Sequence, residues 1–353
     1  MKKLRIGFLS TAGIGKKNWK AILNSGNCTV SAIASRDAQK SRKFIDDCQR
    51  DFAFAEMPRA FGSYEELIAS PNVDAVYVPL PTGLRKDFVI RVAQNGKHVL
   101  CEKPCAANLA ELDTMLAACK KHSVQFMDGV YFMHSPRLEK IRGTLDDGIS
   151  IGKLRRIVSN FSFAGDEIFL RDNIRMDAAL EPAGCLGDLG WYSIRFALWI
   201  MNWQLPREVT GKILSQSASC APTEFSAELI YDGGVSVGFY CSFLAARQQW
   251  VHISGQKGWL RVPGFVRPAN SYEPAFELND SEVRAASDVK CPLGSDIGEQ
   301  GHPTSQEARM WRNFANQIFS GQLNENWPMW ARQTQKILDA CLAAGRSGKT
   351  VKL

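Results

Sequence analysis

The first 130 or so residues alternate between short apolar runs and amphipathic segments, and this alternation restricts the fold more than any other feature of the chain. LRIGFL (4–9) reads as a buried strand and the segment from Ile14 to Leu23 as a helix. CTVSAIAS (28–35), rich in β-branched residues, is a second strand. Asp37 caps a helix running to about Gln49. After a short strand near Phe61, Ser63 and Glu66 form a capping box for a short helix. DAVYVPLP (74–81) is a fourth strand, and the helix from about Leu84 to Asn95 stops at Gly96. HVLCEKP (98–104) is a fifth strand, Asn108 opens a helix to about His122, and VQFMDG (124–129) is a sixth strand. Repeated βα units of this length imply a parallel sheet with right-handed crossovers, whose ligands lie at the carboxyl ends of the strands. STAGIG, PLPTGLR and EKP all fall at such ends.

The first of these, within FLSTAGIGKKNW (8–19), comes close to two phosphate-binding loops. A P-loop needs a glycine, four residues, then Gly-Lys-Ser/Thr. Here Ser10 replaces the first glycine and Lys17 the magnesium-binding hydroxyl. A dinucleotide loop needs G-x-G-x-x-G between strand and helix. Starting at Ser10, only the third glycine, Gly15, is kept, with Ser10 and Ala12 at the first two places. Taken alone, the segment is equally compatible with a strand–turn–helix corner that binds nothing.

The tip of the second strand decides for a dinucleotide. An NAD-type domain places a carboxylate there for the ribose hydroxyls. This strand instead ends Ala34-Ser35-Arg36, and Asp37 is better used as a helix cap. Ser35, Arg36 and Lys40 are suited to a 2′-phosphate, and Arg36 also to stacking on adenine, so the expected cofactor is NADP (NADPH). An ordinary surface arginine and lysine are the plainer alternative.

Beyond residue 130 the texture changes. A helix, PRLEKIRGTLDDG (136–148), precedes strand-like segments at 155–163, 206–214, 225–244 and 248–264, with glycine turns that read as antiparallel hairpins. Helices return at 187–201, 304–319 and 329–345. The fold class expected is α/β: a Rossmann domain (1–129), then an α+β domain (130–353) with a large, mostly antiparallel open sheet for substrate and oligomerisation. With 45% hydrophobic residues in 353, a full core is available. The net charge of +7 is spread out, which suits a solvated surface and an anionic cofactor, not nucleic acid. No apolar stretch approaches a membrane span. MKKLRIGFLS lacks the features of a signal peptide. Ten scattered cysteines without a C-x-x-C pair read as reduced thiols in a cytoplasmic protein, with no metal site.

Together with EKP, several further motifs make the chain similar to the Gfo/Idh/MocA oxidoreductases over its whole length. They are Ala34-Ser35-Arg36, Pro79-Leu80-Pro81-Thr82, GKHVLCEKP (96–104), GCLGDLGWY (184–192) and the terminal SGKTVKL. FMDGVYFMHSPR and FSFAGDE further resemble the branch holding dimeric dihydrodiol dehydrogenase and NADP-dependent D-xylose dehydrogenase. The resemblance implies cofactor contacts from Ser10, Thr11, Ala12, Gly13, Ile14, Ser35, Arg36, Lys40, Pro79, Leu80, Thr82, Arg85, Glu102 and Lys103. Two departures stand out: Ser10 and Ala12 at the glycine positions, and Arg85 where relatives commonly carry histidine.

Hydride transfer needs geometry and a proton partner. Asp188 and Tyr192 are spaced i, i+4, on one helix face. A tyrosine can protonate a carbonyl oxygen directly, but its ordinary pKa of about 10 makes it a poor base without a nearby cation. By resemblance, Lys103 lies beside the nicotinamide and tunes or shares the proton transfer, Tyr192 is the acid/base, and Asp188 binds substrate or holds the other two. In the family the bond between this lysine and the following proline is often cis, which would position the lysine. Read without the family, Tyr192 is a core tyrosine, Lys103 a surface lysine and Asp188 a helix cap. Tyr131, His134, Phe163, Asp166 and Arg175 are weaker substrate candidates, and His302 reads as a loop histidine.

The expected function is NADP-dependent hydride transfer to or from a secondary alcohol or hemiacetal of a sugar, or a cyclic trans-diol. The alternatives are a non-catalytic dinucleotide sensor, like the family's galactose-pathway repressor, and a double-bond reductase like biliverdin reductase. Lys103, Asp188 and Tyr192 together favour the enzyme. The family also implies a homodimer through the open sheet, and hence an apolar outer sheet face.

Overall fold

A computed structural model of the chain describes residues 2–268, 275–280, 287–290 and 303–353. His302 lies outside the described residues. The chain divides into two compact units.

The first unit comprises residues 1–106, 110–135 and 299–331. It is built on strands β1 (Leu4–Leu9), β2 (Cys28–Ala34), β3 (Arg59–Phe61), β4 (Ala75–Val78), β5 (His98–Cys101) and β6 (Phe126–Asp128). They form one parallel sheet in the order β3-β2-β1-β4-β5-β6. This is the doubly wound order of dinucleotide-binding sheets, in which β1 and β4 flank the switch point. Helices α1 (Ile14–Ser25), α2 (Ala38–Asp51), α3 (Tyr64–Ala69), α4 (Arg85–Gln94) and α5 (Leu109–Lys121) make the crossovers. The local signals act as expected: Asp37 Oδ1 accepts from the Gln39 amide, Ser63 Oγ from the Glu66 amide, and Gly96 closes α4 in the left-handed region. Gly15 is needed for packing, since a methyl there would come within 3.1 Å of the Phe44 ring and 3.5 Å of the Phe8 ring.

Residues 299–331 belong to this first unit, although the division expected from the sequence assigns them to the second. The reason is apolar. Met310, Trp311, Phe314 and Trp327 are buried in the same core cluster as Phe8, Trp19 and Tyr77. A return of the chain is thus used to cover α1.

The second unit holds residues 107–109, 136–298 and 332–353. It contains α6 (Arg137–Asp146), β7 (Leu154–Ser162), α7 (Glu167–Asp172), α8 (Trp191–Ile200), β8 (Glu208–Gln216), β9 (Pro222–Ile230), β10 (Ser236–Ser242), β11 (Gln248–Gly255), β12 (Gly258–Pro263), β13 (Ala275–Asp280) and β14 (Ser287–Lys290). Helix α9 (Gln306–Phe319) belongs to the first unit, α10 (Asn326–Ser347) runs from one unit into the other, and β15 (Val351–Lys352) ends the chain. Among the described residues its strands run in the order β14-β13-β12-β11-β7-β10-β9-β8-β15, with β10 and β7 parallel and the other pairs antiparallel. α8 is apolar and buried almost throughout.

The outer face of this sheet is mixed, where an apolar face is expected: charged and hydroxyl groups stand beside Val158, Ile230, Trp250 and Trp259. The register aligns Arg156 with Ser236, and Ser236 with Ile230, on alternate positions. Arg156 pairs with Glu228 at 2.5 Å and with Ser236, Tyr240 donates to Glu224, and Arg261 pairs with Glu277 at 3.6 Å. Period-two alternation puts Phe225, Ala227, Leu229, Val237, Phe239 and Cys241 on the other, buried face.

Candidate functional site

Each unit carries its own set of candidate residues. In the first, the chain leaves β1 through Ser10, whose φ of 127° lies in a region that non-glycine residues rarely enter. The turn is the one a first-position glycine ordinarily makes. Ser10 makes it with help from its hydroxyl, which accepts from the Ala12 amide at 3.2 Å. Thr11, Ala12 and Gly13 lead into α1. Gly13 is the N-cap but supplies no side-chain cap, and a methyl placed on it would meet no atom within 4 Å. The Gly15 and Lys16 amides turn back to the Ala12 carbonyl at 2.8 Å and the Gly13 carbonyl at 3.2 Å, no side chain covers the helix start, and Ile14 beside it is exposed.

At the end of β2, Ser35 is buried and its hydroxyl is used inside the turn. It donates to the Asp37 carbonyl at 2.6 Å, accepts from the Asp37 amide, and meets Ser41 Oγ at 3.1 Å. Its contribution is the shape of the turn. Arg36 and Lys40 are both exposed beside it. The charge of Arg36 partly opposes the upward push that burial gives the Tyr64 phenol.

The tips of β4 and β5 are joined. Pro79, Leu80 and Thr82 are buried, and Thr82 opens a short 3-10 turn, Thr82–Leu84, before α4. Arg85 turns inward. Its side chain is buried, and the guanidinium donates to the carbonyls of Leu80 at 2.6 Å, Glu102 at 2.7 Å and Pro104. Those bonds direct it into the protein backbone.

A second network ends on the same turn. Trp311 Nε1 donates to Asn18 Oδ1 at 2.8 Å, Asn18 Nδ2 to the Tyr77 hydroxyl at 2.8 Å, and Tyr77 to Glu102 Oε1 at 2.6 Å. Glu102 Oε2 accepts from the Lys103 amide at 3.3 Å. Every donor in the series points toward the carboxylate, an arrangement in which the bonds reinforce one another. The Lys103–Pro104 peptide bond is cis.

Tyr131 and His134, candidates for substrate, are engaged with α9 and the start of α10. The ring of Tyr131 lies under the Lys17 ammonium, 3.8 Å from its centroid, and Lys17 pairs with Glu307 at 2.7 Å. The Asn313 amide lies 3.0 Å from His134 Nδ1, and the His134 ring meets Trp327 edge-on.

In the second unit, GCLGDLGWY forms a π-helical turn, Leu186–Gly190, that runs directly into α8. Asp188 therefore sits on a widened turn and not on the regular α-helix expected, a feature frequent at functional sites. The turn is seated by Gly184, at φ 46°, where a methyl would fall 2.1 Å from the Pro222 carbonyl oxygen. Arg175 grips Asp188 with two bonds, Nε to Oδ2 at 2.8 Å and Nη2 to Oδ1 at 3.2 Å. The Asp188 charge holds the Arg175 guanidinium well above its usual range, and Tyr192 adds to this, so the three groups share one electrostatic environment. Tyr192 is buried, with its ring 5.7 Å from that of Phe161.

Of the other candidates, Phe163 belongs to an aromatic trio with Phe169 and Phe243, at 5.2 Å from each. Asp166 caps α7, its Oδ1 accepting from the Phe169 amide at 2.7 Å. Among the described residues no group of three or more His, Cys, Asp or Glu side chains is arranged for a metal. No described helix is long and apolar enough to cross a membrane.

Comparison with known proteins follows these two units. Residues 4–130 match the oxidoreductase family with an NAD-binding Rossmann fold, and residues 138–261 match the GFO/IDH/MocA C-terminal domain. The chain is 32% identical over 240 residues to trans-1,2-dihydrobenzene-1,2-diol dehydrogenase of Xenopus laevis, covering 67% of this chain and 68% of that one. The chain belongs to the Gfo/Idh/MocA oxidoreductases. It is also 28% identical over 350 residues to D-xylose 1-dehydrogenase (NADP(+)) 2 of Haloferax volcanii, covering 99% of this chain and all of that one. Among solved structures, aldose-aldose oxidoreductase of Caulobacter crescentus superposes over the full length of both chains with a TM-score of 0.85 at 21% identity. A 3-ketoreductase of Actinomadura kijaniata, solved with NADP, gives 0.84 at 23%, covering 97% and 98%.

The first unit of this Gfo/Idh/MocA oxidoreductase fits a dinucleotide on its own geometry: an uncapped helix start, open space over Gly13, and exposed cations at the β2 tip. Sequence reading missed Asn18, Tyr77 and Trp311. One signal was present. Tyr77 stands in AVYV, a strand buried on both faces, and a buried phenol must find a partner.

Proposed function

We propose that the chain is an NADP(H)-dependent oxidoreductase acting on a secondary alcohol or hemiacetal of a sugar, or on a cyclic trans-diol. The observation that carries this reading is the two-bond grip of Arg175 on Asp188, on a π turn that leads into Tyr192. It sets a fixed cation, a carboxylate and a phenol in one environment, the chemistry needed to bind a hydroxylated carbon and manage its proton. Tyr192 gives a proton to the substrate oxygen in reduction and receives it in oxidation. Asp188, oriented by Arg175, accepts a hydrogen bond from a substrate hydroxyl. Lys103, at the carboxyl end of β5, orients the reacting oxygen and shares the proton transfer.

The α1 start and the turn from Ser10 would hold the pyrophosphate, and Arg36 with Lys40 the 2′-phosphate. The nicotinamide, when bound, supplies or takes the hydride. NADP is favoured over NAD because Asp37, the acid nearest the β2 tip, is used as the α2 cap. The names of the D-xylose and dihydrodiol dehydrogenases agree with this substrate class. A cytoplasmic location and a homodimer through the outer face of the mostly antiparallel sheet complete the proposal. Such a dimer would rest on the polar pairs of that face and on Trp250, His252 and Trp259, which share its register.

The test is a steady-state screen of aldoses and cyclic trans-diols with NADP and NADPH. Turnover is expected, and Tyr192→Phe is expected to lower kcat on the order of 10²–10⁴-fold. Absence of turnover with every substrate, or a Tyr192→Phe enzyme equal to wild type, would overturn the reading.

A further inference from the structure

Arg85 holds the two carbonyls that flank Lys103. Its Nη1 donates to Glu102 O at 2.7 Å and to Pro104 O, while its Nε donates to Leu80 O at 2.6 Å. One planar group thus ties the tip of β4 to the turn after β5. The side chain does so from the first residue of α4, and it is 5% exposed. A guanidinium is suited to this because its N–H bonds leave in one plane at fixed angles. A lysine ammonium is a compact point donor, and a histidine has only two nitrogens, so neither replaces three bonds spread over two strand tips. The other side of the turn is also fixed, because the Glu102 carboxylate is held by Tyr77. Between these two anchors, the backbone of Lys103 has little freedom.

We propose that Arg85 is a positioning residue for Lys103: it sets where the lysine ammonium is presented, and it makes no contact that NADP(H) affinity depends on. This rests on the reading of Lys103 as part of the reaction. It departs from the cofactor contact that the motif position implies. The reason lies in the direction of the three bonds, which all run into the backbone.

The experiment compares wild type with Arg85→Ala and Arg85→Lys by three measurements: hydrogen–deuterium exchange of the peptide spanning 98–108, NADPH titration, and kcat with KM. In Arg85→Ala, exchange at 102–106 is expected to rise several-fold while the rest of the parallel sheet exchanges as in wild type. NADPH affinity is expected to stay near the wild-type value. The kcat should fall roughly 10–100-fold with KM little changed, the penalty of a slightly misplaced group. Added methylguanidinium should restore part of kcat, which it would not do for general loss of packing. If Arg85→Ala does not fold, Arg85→Lys decides, with the same split between kcat and affinity expected.

Unchanged exchange at 102–106 would overturn the proposal. So would a parallel loss of kcat and NADPH affinity, which would make Arg85 a cofactor contact. If wild type turns over none of the substrates screened, the exchange and titration results still decide. Loosened exchange with retained affinity would uphold the clamp while the proposed reaction falls.

Discussion

The turn after β5 and the π turn before α8 both present side chains proposed for the chemistry, but they are held by different means. Glu102 and Lys103 are fixed by hydrogen bonds from three helices and a strand: Trp311, Asn18, Tyr77 and Arg85. Tyr77 and Trp311 are completely buried. Asp188 is gripped by an ion pair with Arg175, whose side chain is 36% exposed against 14% for Asp188. Bonds of the first kind are costly to leave unmade, because their groups have no water to turn to. A partly exposed ion pair contributes less, because solvent and salt screen it. The lesson is a division of labour. Disturbing the β5 turn should show first as lost stability, and disturbing the π turn as lost activity.

The largest effect expected is that of Tyr77→Phe. It removes the donor to Glu102 and the acceptor for Asn18 while keeping the ring, at a cost of about 1–3 kcal/mol. Urea unfolding measures it, and a loss within error of zero would show that the network is not what holds the turn. Next is Arg175→Gln. Global stability should fall by less than in Tyr77→Phe, whereas kcat should drop on the order of tenfold or more as Asp188 loses its orienting cation. A stability loss like that of Tyr77→Phe with kcat intact would reverse the comparison.

The smallest effect is a pH dependence of the first unit. Burial holds the His98 imidazole below its ordinary range, with the Asp74 charge opposing, and His98 Nδ1 accepts from the Gln125 amide. The unfolded chain takes this proton near pH 6.5, the folded chain only at lower pH. The contribution of His98 is therefore complete above about pH 6.5 and is lost as the pH falls through the folded value. Over the same interval Arg175 stays charged, raised as it is by Asp188. Unfolding of wild type and His98→Asn from pH 7 downward should show a shallower loss in the variant, and parallel curves would remove His98 from the account.

Much of this was legible in the sequence where the cause is local. The six parallel strands, the caps at Asp37 and Ser63 and the apolar helix after Gly190 all follow from neighbours a few residues away. What could not be read depends on distance or on direction. Trp311 reaches Asn18 across 293 positions, and no local pattern marks α9 as part of the first unit. Arg85 stands at a motif position associated with ligands, and only the direction of its bonds shows that it turns inward. The π turn has the same residue pattern as an α-helix start. His134 and Tyr131 are aromatic residues in suggestive places, and each is engaged by a distant neighbour that the sequence does not identify.

The central claim, that this is an NADP(H) oxidoreductase whose β2 tip reads the 2′-phosphate, is tested most directly by titrating wild type and Arg36→Ala with NADPH and NADH, followed by tryptophan fluorescence. The account predicts tight binding that prefers NADPH in wild type, with that preference lost in Arg36→Ala. Equal binding of both nucleotides by wild type would contradict the role of Arg36, and binding of neither would contradict the oxidoreductase reading itself.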